Sequence, residues 1–184
     1  MTEPLGYKAH LALMARYNQW MNGKMLTLMA DHPERDFTED RGSFFGSVWN
    51  TLNHLIVADI IWMTRMTKHA SGHLLLPVLD LPKPAGLTDV LYDDFQSYAA
   101  PRRALDELII AYIDSLSEED IASAFTYSRA NGETHTKALG LTLSHVFNHQ
   151  THHRGQITTL FTQMGLDIGV TDVHLLVPEL TPEP

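Results

Sequence analysis

Apolar positions recur at helical spacing in four stretches of the chain, and the period changes in one. Leu11, Leu13, Met14, Tyr17, Met21, Met25, Leu28 and Met29 repeat every three or four residues, which predicts a helix over residues 6–30. Asp31-His32-Pro33 closes it, because proline cannot continue a helix. After a loop that is charged and then reads Gly-Ser-Phe-Phe-Gly, Ser47 is placed to cap a second helix running to about residue 69. That helix is apolar nearly all round, the mark of a central position. Glycines and prolines break the pattern between Ala70 and Leu87, a loop from one helix to the next. A third helix follows over about residues 88–116, with Pro101 kinking or splitting it, and Ser117 opens a short acidic turn. Residues 124–138 alternate around Asn131-Gly132, the pattern of a β-hairpin. The last helix covers about residues 137–164, with Gly165 as its cap. The tail, with Pro178 and Pro182, is expected over the surface.

The expected architecture is all-α with one small hairpin before the last helix. The 184 residues suit a single domain, 1–184, around one core.

Charge and composition narrow the partners. The formal net charge of −9 disfavours nucleic acid or an anionic membrane, since either calls for a basic patch. The absence of cysteine removes disulfides, thiolate ligands and a thiol nucleophile together. The N-terminus lacks a signal-peptide pattern, and the most apolar stretch, Leu55 to Met63, is too short to span a bilayer and contains Asp59. These features predict a soluble cytoplasmic protein.

The chemistry concentrates between Ser144 and Gln156, where four of the eleven histidines fall. His145, His149 and His153 are spaced four residues apart, so each returns to nearly the same helical face. Measured against the stripe of Leu139, Leu143, Val146, Ile157, Leu160, Phe161 and Met164, His153 lies roughly 40° from the centre and His149 roughly 80°. His145 and His152 lie roughly 120–140° away, toward solvent. Two inward imidazoles one turn apart fit a shared metal ion better than two hydrogen-bonded core histidines. A third ligand must come from elsewhere. His54 in the second helix is the best candidate, although that helix is too uniformly apolar for phase to place it.

Other residues carry weaker signals. Asp59, five residues from His54, is predicted to be buried and paired with an arginine or a backbone group. Tyr17 and Trp20 read as packing residues first and as a pocket wall near the metal second. Gln156 lies near the phase of His149 and can hydrogen-bond a ligand on the metal or a group just outside the metal's own ligands. Arg154 can hold an anionic substrate, but a salt bridge to the second helix is preferred. Arg65 is a pocket cation or a solvated helix-end residue. No Asp or Glu in these motifs is an obvious general base, so a water or a cofactor thiol is the expected nucleophile.

Together Tyr17-Asn18-x-Trp20-x-Asn22, Leu52-Asn53-His54 followed by Asp59, Trp62 and Arg65, and His145-Val146-Phe147-Asn148-His149 followed by His153-Arg154-Gly155-Gln156 resemble the DinB-like family. The resemblance implies an up-down-down-up four-helix bundle, often a homodimer. It implies a divalent metal (Zn, Ni or Fe) held by His54, His149 and His153. Related proteins include bacillithiol transferases and mycothiol-dependent maleylpyruvate isomerases, so it also implies a low-molecular-weight thiol and a small-molecule substrate. The functional expectation is a metal-dependent hydrolase or thiol transferase, with a non-catalytic metal-binding bundle of a stress response as the alternative.

Overall fold

The computed structural model describes residues 6–179. Four long helices dominate it: α1 (Tyr7–Asp31), α2 (Val48–Met66), α3 (Phe95–Ser115) and, after a short α4 (Glu118–Ala122), α5 (Leu139–Gln163). Between α4 and α5 lies an antiparallel hairpin, β1 (Ala124–Ser128) and β2 (Thr134–Ala138), in register from Ala124 opposite Ala138 to Ser128 opposite Thr134. Helix α1 packs on α3 and α5, and α2 packs on α5. No helix among the described residues is long and apolar enough to cross a membrane.

Most predicted boundaries have visible physical causes. Ser47 caps α2 by accepting from the Asn50 amide. Ser117 and Asp120 form a reciprocal capping box on α4. Gly165, at φ +73°, ends α5: its amide reaches Thr162 O while that of Leu166 reaches Phe161 O, the paired bonds of a Schellman motif. Asn131-Gly132 lies in the hairpin loop, but the turn is not a two-residue one. The Gly132 amide bonds Arg129 O and Gly132 takes φ +86°, a type I turn followed by a left-handed residue.

One boundary differs from expectation. Helix α3 starts at Phe95, not near residue 88. Asn53 of α2 accepts from the amides of Leu91 and Tyr92 and donates to Tyr92 O, so these backbone groups are bound to α2 and cannot enter a helix. Asp94 then caps α3 in a box with Ser97. Pro101 sits inside α3 without splitting it. The segment after α2 contains a 3-10 helix, Gly72–Asp80, with Leu75 and Val78 turned into the core.

Polar side chains cross the core and join all four long helices. Arg102 of α3 bonds Asp59 of α2 at 2.8 Å and Asp106 at 2.7 Å, and all three are buried. Gln150 of α5 donates to Asp59 at 2.6 Å, and Asn18 and Asn22 of α1 donate to Asp106. Arg154 of α5 closes the chain by bonding Asn18 Oδ1 and Thr151 Oγ1. Burial opposes charge on Arg102, but Asp106 and Asp59 outweigh it and hold the guanidinium protonated. Burial lowers Arg154 to about 10, which still leaves it charged. Arg102 is thus paired with two carboxylates, as a buried charge requires, while Arg154 reaches Asp106 only through Asn18.

Candidate metal centre

Helix α5 turns His149 and His153 toward α2, and α2 presents His54 to meet them. One nitrogen from each ring lies within 4.8 Å of the others. His54 and His153 are buried and His149 half-buried, while His145 and His152 are exposed. The division between inner and outer histidines therefore follows the helical phase.

Hydrogen bonds orient two of the rings. His54 Nδ1 lies 2.8 Å from the Leu87 carbonyl, an acceptor, so Nδ1 carries the hydrogen and Nε2 keeps its lone pair. His153 Nδ1 lies 2.8 Å from Gln156 Oε1, which fixes that ring the same way. Phe45 stacks on His54 at 4.1 Å between centroids and meets His153 edge-on at 5.4 Å, covering the triad from the α1–α2 loop.

All three imidazoles are held neutral. Burial depresses His54, against an opposing contribution from the Leu87 bond. Burial also depresses His153. His149 is lowered to about 3, by burial first and then by His153 and His54. Neutral imidazole is the form that ligates a metal. His54 Nε2 and His149 Nε2 are 3.1 Å apart, close to the edge expected for nitrogens bound at about 2.0–2.1 Å to one ion. The residues present fit a divalent metal.

His54 and His149 of the triad border a cavity of about 1200 Å³. Ala58, Ile61, Trp62 and Arg65 of α2 form one wall, Leu141, Thr142 and His145 of α5 another. Pro84–Leu87 and the hairpin complete it. Trp62 packs edge-on against Tyr127 at 5.0 Å and against His145 at 5.4 Å.

The remaining candidates separate. Gln156 bonds the ring of His153, not that of His149 whose phase it shares. Asp59 lies in the buried network, paired with Arg102. Arg154 makes no salt bridge to α2 and is not in the cavity. Its guanidinium bonds α1 and lies 5.3 Å above the Tyr17 ring, because α5 buries a second face against α1. Tyr17 and Trp20 are likewise away from the triad. Tyr17 donates to Thr171 O, and Trp20 borders a separate depression with Lys24 over its ring. Arg65 is a cavity residue rather than a solvated helix end. The sequence reading passed over Leu87 and Phe45. A backbone acceptor contributed by a loop leaves no pattern, whereas the exposed-looking Phe44-Phe45 pair was a visible signal.

The DinB family model matches residues 1–180, and the chain belongs to that family. Protein DinB of Bacillus subtilis (strain 168) is 25% identical over 164 residues, covering 86% of this chain and 88% of that protein. No solved structure matches the chain significantly.

Proposed function

We propose that the protein is a metal-dependent enzyme, a hydrolase or a transferase using a low-molecular-weight thiol, with a divalent ion held by His54, His149 and His153. The reading is carried by one observation: His54 and His149 of the triad line a cavity of about 1200 Å³, and among the described residues no fourth histidine or carboxylate joins the cluster. When bound, the ion supplies Lewis acidity to a coordinating thiol, water or carbonyl. Imidazole ligands suit Zn, Ni or Fe. The four long helices are read as an up-down-down-up bundle, and the functional unit as a homodimer.

The chain's own groups have distinct tasks in this reading. Phe45 covers one side of the triad, and the Leu87 carbonyl orients His54. No carboxylate lines the cavity among the described residues, so proton transfer falls to an imidazole. His145 lines the cavity outside the triad, its ring centroid 6.2 Å from that of His149, and is placed to accept a proton. Trp62 holds it edge-on.

The test uses protein purified without a histidine tag. Elemental analysis should find close to one divalent ion per chain, and metal-loaded protein should catalyse thiol transfer or hydrolysis that stripped protein does not. His145→Ala should keep the metal and lose turnover. Stoichiometric metal with no turnover across both reaction classes favours the non-catalytic alternative, in which the ion staples α2 to α5.

A further inference from the structure

We infer that the cavity takes an elongated small molecule bearing a terminal carboxylate or phosphate, with Arg65 as the anion-binding residue. This deepens the proposed function and rests on it for which end of the molecule reacts.

The first observation is register. Arg65 lies eleven residues after His54 on α2, and eleven residues are just over three whole turns. His54, Ala58, Ile61, Trp62 and Arg65 therefore share one face of α2, and all of them line the cavity. At 1.5 Å per residue, the two ends of this strip are about 16 Å apart. A ligand reaching from the triad to Arg65 must be extended, and Ile61 and the Trp62 ring between them offer apolar contact to its body.

The second observation is charge. The chain is acidic, with a formal net charge of −9, yet the cavity wall carries Arg65, Arg129 and Lys137. Glu133 faces Arg129 at 3.7 Å from outside the lining, a half-exposed pair that screens it weakly. The wall is thus cationic in a protein that is otherwise anionic.

The third observation is the state of Arg65. Its guanidinium lies over Trp62 at 4.8 Å and Tyr127 at 5.4 Å. Among the described residues no carboxylate pairs with it, in contrast to the buried Arg102, which bonds two. A half-buried arginine stacked on aromatic rings keeps its planar fork free for a two-oxygen anion. Burial lowers its pKa, with Tyr127 opposing and the like charge of Arg129 adding, so the site is short of negative charge.

The experiment is calorimetric binding to metal-free protein, dialysed clear of chelator because chelators are themselves polyanions. Three probes share one body: phenylbutyrate, phenylbutyl phosphate and the neutral phenylbutyramide. An anion should bind at least about tenfold more tightly than the amide, and added salt should weaken only the anion. Whether carboxylate or phosphate binds better identifies the head group. Arg65→Gln should abolish the anion's advantage, and Arg65→Lys should retain part of it with unchanged thermal stability. Equal binding of anion and amide, or no saturable binding of any probe at millimolar concentration, overturns the inference. Because the assay contains no metal, a failed metal site leaves the Arg65-dependent discrimination intact. Loss of that discrimination alone leaves metal uptake intact.

Discussion

Gln156 Oε1 lies 2.8 Å from His153 Nδ1, nearly one turn further along α5. The contact presents His153 Nε2 to the other two histidines. Supporting groups of this kind typically contribute 10–100-fold in metal affinity. Gln156→Ala should therefore weaken binding by about that factor with little change in helix content. Competition against a chromogenic chelator measures it, and unchanged affinity would show the contact to be incidental.

The triad itself gives a sharper contrast. His54→Ala, His149→Ala and His153→Ala should each remove most of the bound ion, because two imidazoles make a weak chelate. His145→Ala and His152→Ala should keep it. Elemental analysis of all five variants decides the matter, and equal loss throughout would refute the ligand assignment.

Acid should release the metal and weaken the metal-free fold. The His149 pKa is about 3 in the folded protein, against about 6.5 in an unfolded chain. Between those values the unfolded state binds more protons, so stability rises with pH. The contribution is complete above about 6.5 and is lost as the pH falls toward 3. His54 and His153 shift in the same direction. The melting temperature of metal-free protein should fall across this window, and less steeply in His149→Gln. Because the folded imidazoles resist protonation, metal should persist below the ordinary imidazole range and leave only as the pH approaches 3. Metal lost already near the ordinary value of about 6.5 would count against a buried three-histidine site.

The inner pair of histidines was legible because α5 has a clear apolar stripe and His149 and His153 lie toward it. His54 was legible mainly through the family resemblance, since α2 is buried from Val48 to Ile60 with one exposed position, Asn50. Arg154 was misplaced for a related reason. A single-stripe reading of α5 allows one buried face, but the helix packs on both α1 and α2. Arg102 and Asp106 gave no signal, because two charged residues one turn apart on α3 look like a solvated surface pair. Their burial depends on Asp59, which lies 43 residues before Arg102. The helix caps at Ser47 and Gly165 are local in sequence, so both could be read directly.

Removing one member of the buried network should cost more than replacing a surface ion pair. Arg102→Met leaves Asp59 and Asp106 without their cation and should destabilise by about 3–5 kcal/mol. Adding Asp59→Leu and Asp106→Leu should recover part of that loss. Denaturant melts measure both, and a single variant within about 1 kcal/mol of wild type would mean the charges are not desolvated as the structure places them.

Assembly is testable at the segment after α2. Leu76 is 53% exposed, Leu79 55% and Leu87 58%, an apolar group that a second copy of the chain would cover. Wild-type protein should scatter light as a dimer. Leu76→Glu with Leu79→Glu should return about 20.7 kDa, the mass of one chain. A wild-type protein already at that mass would refute the homodimer.

Leu87 is both a wall of the cavity and the acceptor that orients His54. The loop that admits a guest therefore also holds a ligand ring in place. If a guest shifts this loop, the grip on the ion changes, and linkage requires the ion to change the guest's affinity by the same factor. Metal titrations with and without an anionic probe would then be two measurements of one coupling, and the distance from Leu87 O to His54 Nδ1 is where that coupling would reside.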